Sequence, residues 1–222
     1  MRNVIIIAFV FIIPFASFGQ EYFFSNLTIG KNFRKNQCTY NVSGVWKHIY
    51  NDTEWSRISA KAKIDYNYKS WQLISGLTVL NTFDSEIVNS IELRPWLGIN
   101  LKNAVIEDLQ LEQEARLEWR SFFYQNKNHA NYIRTTFDVG LNYNLDKIKL
   151  RSCSIQVGFI WYFIKSPILG ERYADSREFR FLLNRSFTNG KLTLGYKHEK
   201  FKPIVSRLSN EFHTLEISYL FN

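Results

Sequence analysis

Ile133-Arg134-Thr135-Thr136-Phe137-Asp138-Val139-Gly140-Leu141-Asn142-Tyr143-Asn144-Leu145 is the stretch that decides the fold. Ile133, Thr135, Phe137, Val139, Leu141, Tyr143 and Leu145 fall on one side of a period of two. Arg134, Thr136, Asp138, Gly140, Asn142 and Asn144 fall on the other. Strict alternation of this kind marks a strand whose two faces meet different solvents. Residues 152–164 repeat it, with Cys153, Ile155, Val157, Phe159, Trp161 and Phe163 on the apolar side. The end of the chain repeats it again, setting Leu215, Ile217, Tyr219 and Phe221 against Thr214, Glu216 and Ser218.

Between residues 111 and 124 the choice is between helix and strand. A helix would spread Glu114, Arg116, Glu118 and Arg120 around its whole circumference. A strand places them in one polar row, opposite Leu111, Ala115, Leu117, Trp119 and Phe123, and that is the simpler reading. Strands are predicted near 22–31, 38–50, 55–68, 71–83, 86–101, 107–124, 131–145, 151–164, 177–188, 191–200 and 212–222. Several match the ~9–11 residues that cross a membrane as a tilted strand. Tight joints at Tyr68-Lys69-Ser70 and Thr188-Asn189-Gly190 contrast with longer ones at 165–176 and 201–211. A single-chain bacterial barrel has an even strand number. The eleven segments therefore predict 12 strands, with 10 as the alternative, and the uncertain stretch is 81–130.

Composition agrees with a wall between lipid and water. The chain combines 17% aromatic residues with a mean hydropathy of -0.23. A barrel carries both, because each strand turns one face to lipid and the other inward. Trp46, Trp55, Trp71, Trp96, Trp119 and Trp161 are spread one to a strand or strand end, as interfacial aromatic girdles would be. The net charge of +8 and pI near 9.4 suit an anionic partner. Lys and Arg are scattered singly, however, without a nucleic-acid-binding motif, so lipopolysaccharide and lipid headgroups are the expected partners and nucleic acid is not.

Arg2, the apolar run Val4–Phe15 and the small residues of Ser17-Phe18-Gly19 read as a signal peptide cleaved after Gly19. The run is short of the ~20 residues a spanning helix needs. Residues 1–19 are thus expected to be removed and 20–222 to form the barrel, in the outer membrane of a Gram-negative bacterium. Cys38 and Cys153 lie in strands expected to stand apart around the barrel, so no disulfide is predicted between them.

Two segments carry a family resemblance. Ile91-Glu92-Leu93-Arg94-Pro95-Trp96 and Leu111-Glu112-Gln113-Glu114-Ala115-Arg116-Leu117-Glu118-Trp119-Arg120 resemble the acidic-basic-aromatic strand pair of a family of small exported outer-membrane barrels, a domain of unknown function. The ending His213–Asn222 resembles the terminal strand that barrel-insertion machinery reads, although Asn222 follows the aromatic Phe221. The resemblance implies a barrel and its location, and no activity.

The charged rows are the candidate site: Glu92, Arg94, Glu112, Glu114, Arg116, Glu118, Arg120, Arg134 and Asp138 are predicted to face the lumen. Residues two apart on a strand lie on one face, ~6.5–7 Å from each other. Alternating signs at that spacing make a salt-bridge ladder filling a narrow barrel, or the selectivity lining of a channel. His48, His129, His198 and His213 form no Ser-His arrangement along any one strand, and the scattered His and Cys show no metal-ligand spacing. No cofactor is predicted. The expected protein is a non-enzymatic narrow channel or plugged structural barrel. The alternatives are an outer-membrane lipid-modifying enzyme and a secreted soluble barrel that holds an apolar ligand inside.

Overall fold

The computed structural model describes residues 21–50, 55–83, 90–124, 129–148, 150–164, 175–202 and 210–222. The proposed signal peptide and most of the longer joints lie outside the described residues. Eleven strands are described: β1 (Glu21–Lys35), β2 (Cys38–Ile49), β3 (Ser56–Tyr68), β4 (Trp71–Phe83), β5 (Ser90–Ile106), β6 (Leu109–Tyr124), β7 (His129–Asn144), β8 (Cys153–Ile164), β9 (Asp175–Phe187), β10 (Gly190–Lys202) and β11 (Asn210–Phe221). They form a closed barrel in which each strand pairs with its neighbours in sequence and β1 pairs with β11. The alternating segments read from the sequence are these strands, with ends shifted by a few residues.

The strand number corrects the predicted 12 or 10. β4 pairs directly with β5, β5 with β6 and β6 with β7, so among the described residues no further strand enters the wall between 81 and 130. Parity is resolved at the seam instead. β1 and β11 run parallel, with Leu27 opposite Ile217 and Ile29 opposite Tyr219, while every sequential pair is antiparallel. An even count is required only if closure is antiparallel. A parallel closing pair needs an odd one, and β1 then starts at the end of the barrel opposite to where β11 finishes.

Turn chemistry separates the two ends. Lys35 pairs with Cys38, Tyr68 with Trp71 and Phe187 with Gly190, so three hairpins close through two residues each. Asn36 and Lys69 hold φ of 54° and 53° in the first two, the left-handed geometry that matches such a turn to strand twist. The β5–β6 turn at Glu107-Asp108 lies at the same end. Its two carboxylates grip Lys147 of the short 3-10 turn Asp146–Ile148, and hydrogen bonds to Asp108 and then Glu107 raise the lysine above its ordinary range. The connections at the other end span 50–55, 84–89, 125–128, 165–174 and 203–209, each longer than the two-residue turns, while the β7–β8 connection at the short-turn end spans 145–152.

The wall is apolar outside. Leu97 and Ile29 are each 62% exposed and Leu215 64%, and Phe137, Leu141, Phe159 and Ile217 share that outer surface. Side chains of this size in water would be driven to bury. Inside, Glu118 is 1% exposed, Glu92 3% and Arg120 4%. This polarity is the reverse of a soluble barrel that encloses an apolar ligand, and the closed pairing excludes a two-sheet sandwich.

The tryptophans divide. Trp46, Trp71 and Trp119 project outward, as girdle residues should, and Trp161 lies on the outer face of β8. Trp55 and Trp96 are buried, at variance with a purely interfacial role. Trp96 shares the inward parity of Glu92 and Arg94. Its ring lies over Gly76, its ladder partner, where a Cβ would collide with Trp96 and approach Ala62 O to 2.6 Å. Cys38 and Cys153 are free thiols.

Candidate functional site: a paired-charge lumen

β5, β6, β7 and β9 deliver the charged cluster because their inward positions fall at even residue numbers. Glu92 receives two guanidinium forks. Arg94 donates from Nε and Nη2 to its carboxylate at 2.7 and 2.9 Å, and Arg120 does so at 2.6 and 3.0 Å. Two bidentate partners satisfy a carboxylate that is otherwise removed from water. Arg120 is in turn stacked over Phe122 and Tyr132, 4.9 and 5.1 Å from their ring centroids.

Glu118 is the second node. Arg134 meets its Oε2 at 2.6 Å through Nη2 and 2.7 Å through Nε, Arg116 Nε lies 3.0 Å from Oε1, and Arg94 Nε stands 3.9 Å away. Arg116 also reaches Glu114 at 3.9 Å and lies against Trp96, 5.2 Å from its ring. Four arginines thus surround two buried glutamates, joined by Arg94. Arg134 stacks on Tyr162, 4.8 Å from its ring centroid.

Toward the short-turn end the arrangement loosens. Asp138 pairs with Arg180 through contacts of 2.7 and 2.8 Å. Glu112 accepts a hydrogen bond from Gln156 at 3.2 Å and lies 3.8 Å from Lys102. Asp138 and Glu112 border a cavity of about 280 Å³ with Lys63, Asp65, Asn100 and Arg180 also in its lining. Toward the long-connection end the lumen is apolar instead. Phe24, Ile49, Trp55 and Phe212 pack together, with Phe24 edge-on to Trp55 at 5.5 Å and to Phe212 at 5.1 Å. Lys47 Nζ sits 4.2 Å over the Phe24 ring.

All nine residues anticipated from the sequence lie on inward-facing positions, but they form two groups. Glu92, Arg94, Glu114, Arg116, Glu118, Arg120 and Arg134 are linked in one, while Glu112 and Asp138 belong to the cavity, whose lining Glu114 also joins. Sequence reasoning missed Arg180, Trp96 as a lumenal residue, and the pairs Lys63–Asp65 at 2.8 Å and Lys197–Glu216 at 2.5 Å. Parity alone could have found them. Each stands at an inward position of a strand whose outer face is apolar.

No family model matches the sequence, and no curated protein matches it. Among solved structures the chain is similar to one described as a NanC porin in a rhombohedral crystal form. That alignment covers 89% of this chain and 98% of the other, at 12% identity and a TM-score of 0.46. The closed barrel itself is established by the strand pairing of this chain.

Proposed function

We propose that this protein is an outer-membrane β-barrel of a Gram-negative bacterium, exported through a signal peptide at residues 1–19, with a lumen closed by paired charges. The observation that carries the reading is the inversion of polarity: bulky apolar side chains exposed all round the wall, and glutamates and arginines almost fully buried within it. Lipid supplies the apolar solvent such a wall needs, and closure leaves no strand edge unpaired in it. In this reading the short turns face the periplasm and the long connections face outward. Lipid and lipopolysaccharide contact the wall, and barrel-insertion machinery reads β11. Membership in the small outer-membrane barrel family that residues 91–96 and 111–120 resemble is part of the proposal. It assigns no catalysis and no cofactor.

Closure is favoured over a free pore because two guanidinium-carboxylate nodes and the Phe24–Phe212 cluster fill the lumen at two levels. The polar cavity beside Asp138 favours a second reading, a narrow channel in which those nodes rearrange to pass solute. Fractionation with heat-modifiable gel mobility tests the membrane barrel, and recovery as a soluble, heat-unmodified protein would overturn it. Planar-bilayer recording on the folded protein then separates the readings. A closed barrel shows no steady conductance, whereas a channel shows stable, ion-selective steps.

A further inference from the structure

We infer that His198, Glu211 and His213 form a binding site for a divalent transition-metal ion on the outer wall. The site lies at the end of the barrel with the long connections and is separate from the lumen. Spacing along the chain conceals it, because the ligands come from facing strands. His198 on β10 is the direct ladder partner of His213 on β11, and Glu211 lies two residues before His213 on the same face. One ligand atom from each residue lies within 4.8 Å of the others.

The hydrogen bonds already orient these groups as a metal would need them. His198 Nε2 lies 3.0 Å from Glu211 Oε2, and the carboxylate is buried although it stands on the outer wall. Tyr196 Oη lies 2.7 Å from His213 Nδ1. With its proton on Nδ1, His213 donates to that oxygen and Nε2 is the ring nitrogen that ligates, the outer-shell arrangement that fixes a ligating imidazole. Lys200 Nζ donates to Glu211 Oε1 at 3.0 Å, so the two carboxylate oxygens have separate tasks. On binding, the ion takes the place of the proton between His198 Nε2 and Glu211 Oε2: a neutral His198 carries its single proton on Nδ1 instead, and an imidazolium releases its Nε2 proton to solvent.

Bonds of 2.0–2.1 Å in a tetrahedral site set ligand atoms about 3.3 Å apart, so modest ring rotation completes the geometry. The two rings are stacked with centroids 5.0 Å apart, and Phe23 stacks on the other side of His213 at the same separation. Two imidazoles and one carboxylate select Zn²⁺, Ni²⁺ or Cu²⁺ over Ca²⁺ and Mg²⁺, which prefer all-oxygen shells. His198 lies four residues before the end of β10, about 13 Å along the strand. That places the ion near one rim, where it would clamp the β10–β11 hairpin beside the parallel seam.

The test is titration of Zn²⁺ into the full barrel, folded in detergent and freed of metal by a chelator. One saturable site is expected, with Co²⁺ giving the visible absorption of an imidazole-bound ion and Ca²⁺ giving neither. Zn²⁺ should also raise the temperature at which the heat-modifiable folded band is lost. His198→Gln and His213→Gln should each abolish these effects, and Tyr196→Phe should weaken binding ~10–100-fold as an outer-shell change. Lys200→Ala, which keeps all three ligands, should tighten binding by removing a like charge. Absence of saturable Zn²⁺ binding to the folded wild-type barrel overturns the site. So does equal binding to the His198→Gln/His213→Gln double variant, or an equal response to Ca²⁺.

Discussion

Arg120 on β6 holds Glu92 on β5 along a diagonal of the ladder. Phe122 is the direct partner of Glu92, yet the Arg120 guanidinium donates to both carboxylate oxygens, at 2.6 and 3.0 Å. The long arginine side chain spans the extra distance and leaves the direct position to an aromatic ring, over which the same guanidinium stacks. The register between Leu93–Ser121 and Trp96–Glu118 sets Arg94 opposite Arg120, and the Glu92 carboxylate one step along offsets these two like charges by accepting from both.

Glu118 is predicted to be the most costly charge to remove. Glu118→Gln leaves Arg134 without its carboxylate partner and Arg116 with only Glu114 at 3.9 Å, a loss of about 3–5 kcal/mol in a dry site. Arg116→Gln should cost less, because Glu118 keeps both contacts from Arg134. Refolding free energies in lipid vesicles provide the measurement. Near-zero cost for both variants would show a water-filled lumen and would go against the closed barrel.

The outer wall can be tested at one pair of positions on β7. Val139 shares the outward face with Phe137 and Leu141, whereas Asn142 faces the lumen. Val139→Arg should destabilise the barrel in lipid by ~2–4 kcal/mol and Asn142→Arg by much less. Equal effects on folding into vesicles would contradict the assignment of faces.

Parallel closure makes a register prediction that antiparallel closure does not. In a background lacking Cys38 and Cys153, the pair Leu27→Cys with Ile217→Cys should oxidise to a disulfide. So should Ile29→Cys with Tyr219→Cys, since both partners advance together along the seam. An antiparallel seam would bring together at most one of these pairs. Gel mobility under oxidising and reducing conditions reads the result.

Gly76 should not tolerate a side chain. A Cβ there meets the Trp96 ring and the backbone oxygen of Ala62, so Gly76→Ala forces an overpacked lumen at about 1–3 kcal/mol. Gly44→Ala is the control, because nothing lies within 4 Å of its Cβ position. Equal unfolding midpoints for the two variants would mean that Trp96 does not occupy the lumen beside Gly76.

What the sequence determined by itself was the local alternation, and with it the two faces of every strand. Ile133 to Leu145 could be assigned outside and inside residue by residue because side-chain direction along a strand depends only on backbone pleat. The inward placement of Glu92, Glu118 and Asp138 follows from the same period. The tertiary structure alone decided what depends on pairing between distant strands. Closure of β1 on β11 in parallel set the odd strand number, which no local pattern encodes. The register of β5 on β6 set Glu92 opposite Phe122 and within diagonal reach of the Arg120 guanidinium. The union of His198 with His213 likewise needed the register of β10 on β11. Period is a property of one strand, whereas register, seam and cluster belong to pairs of strands brought together only by folding.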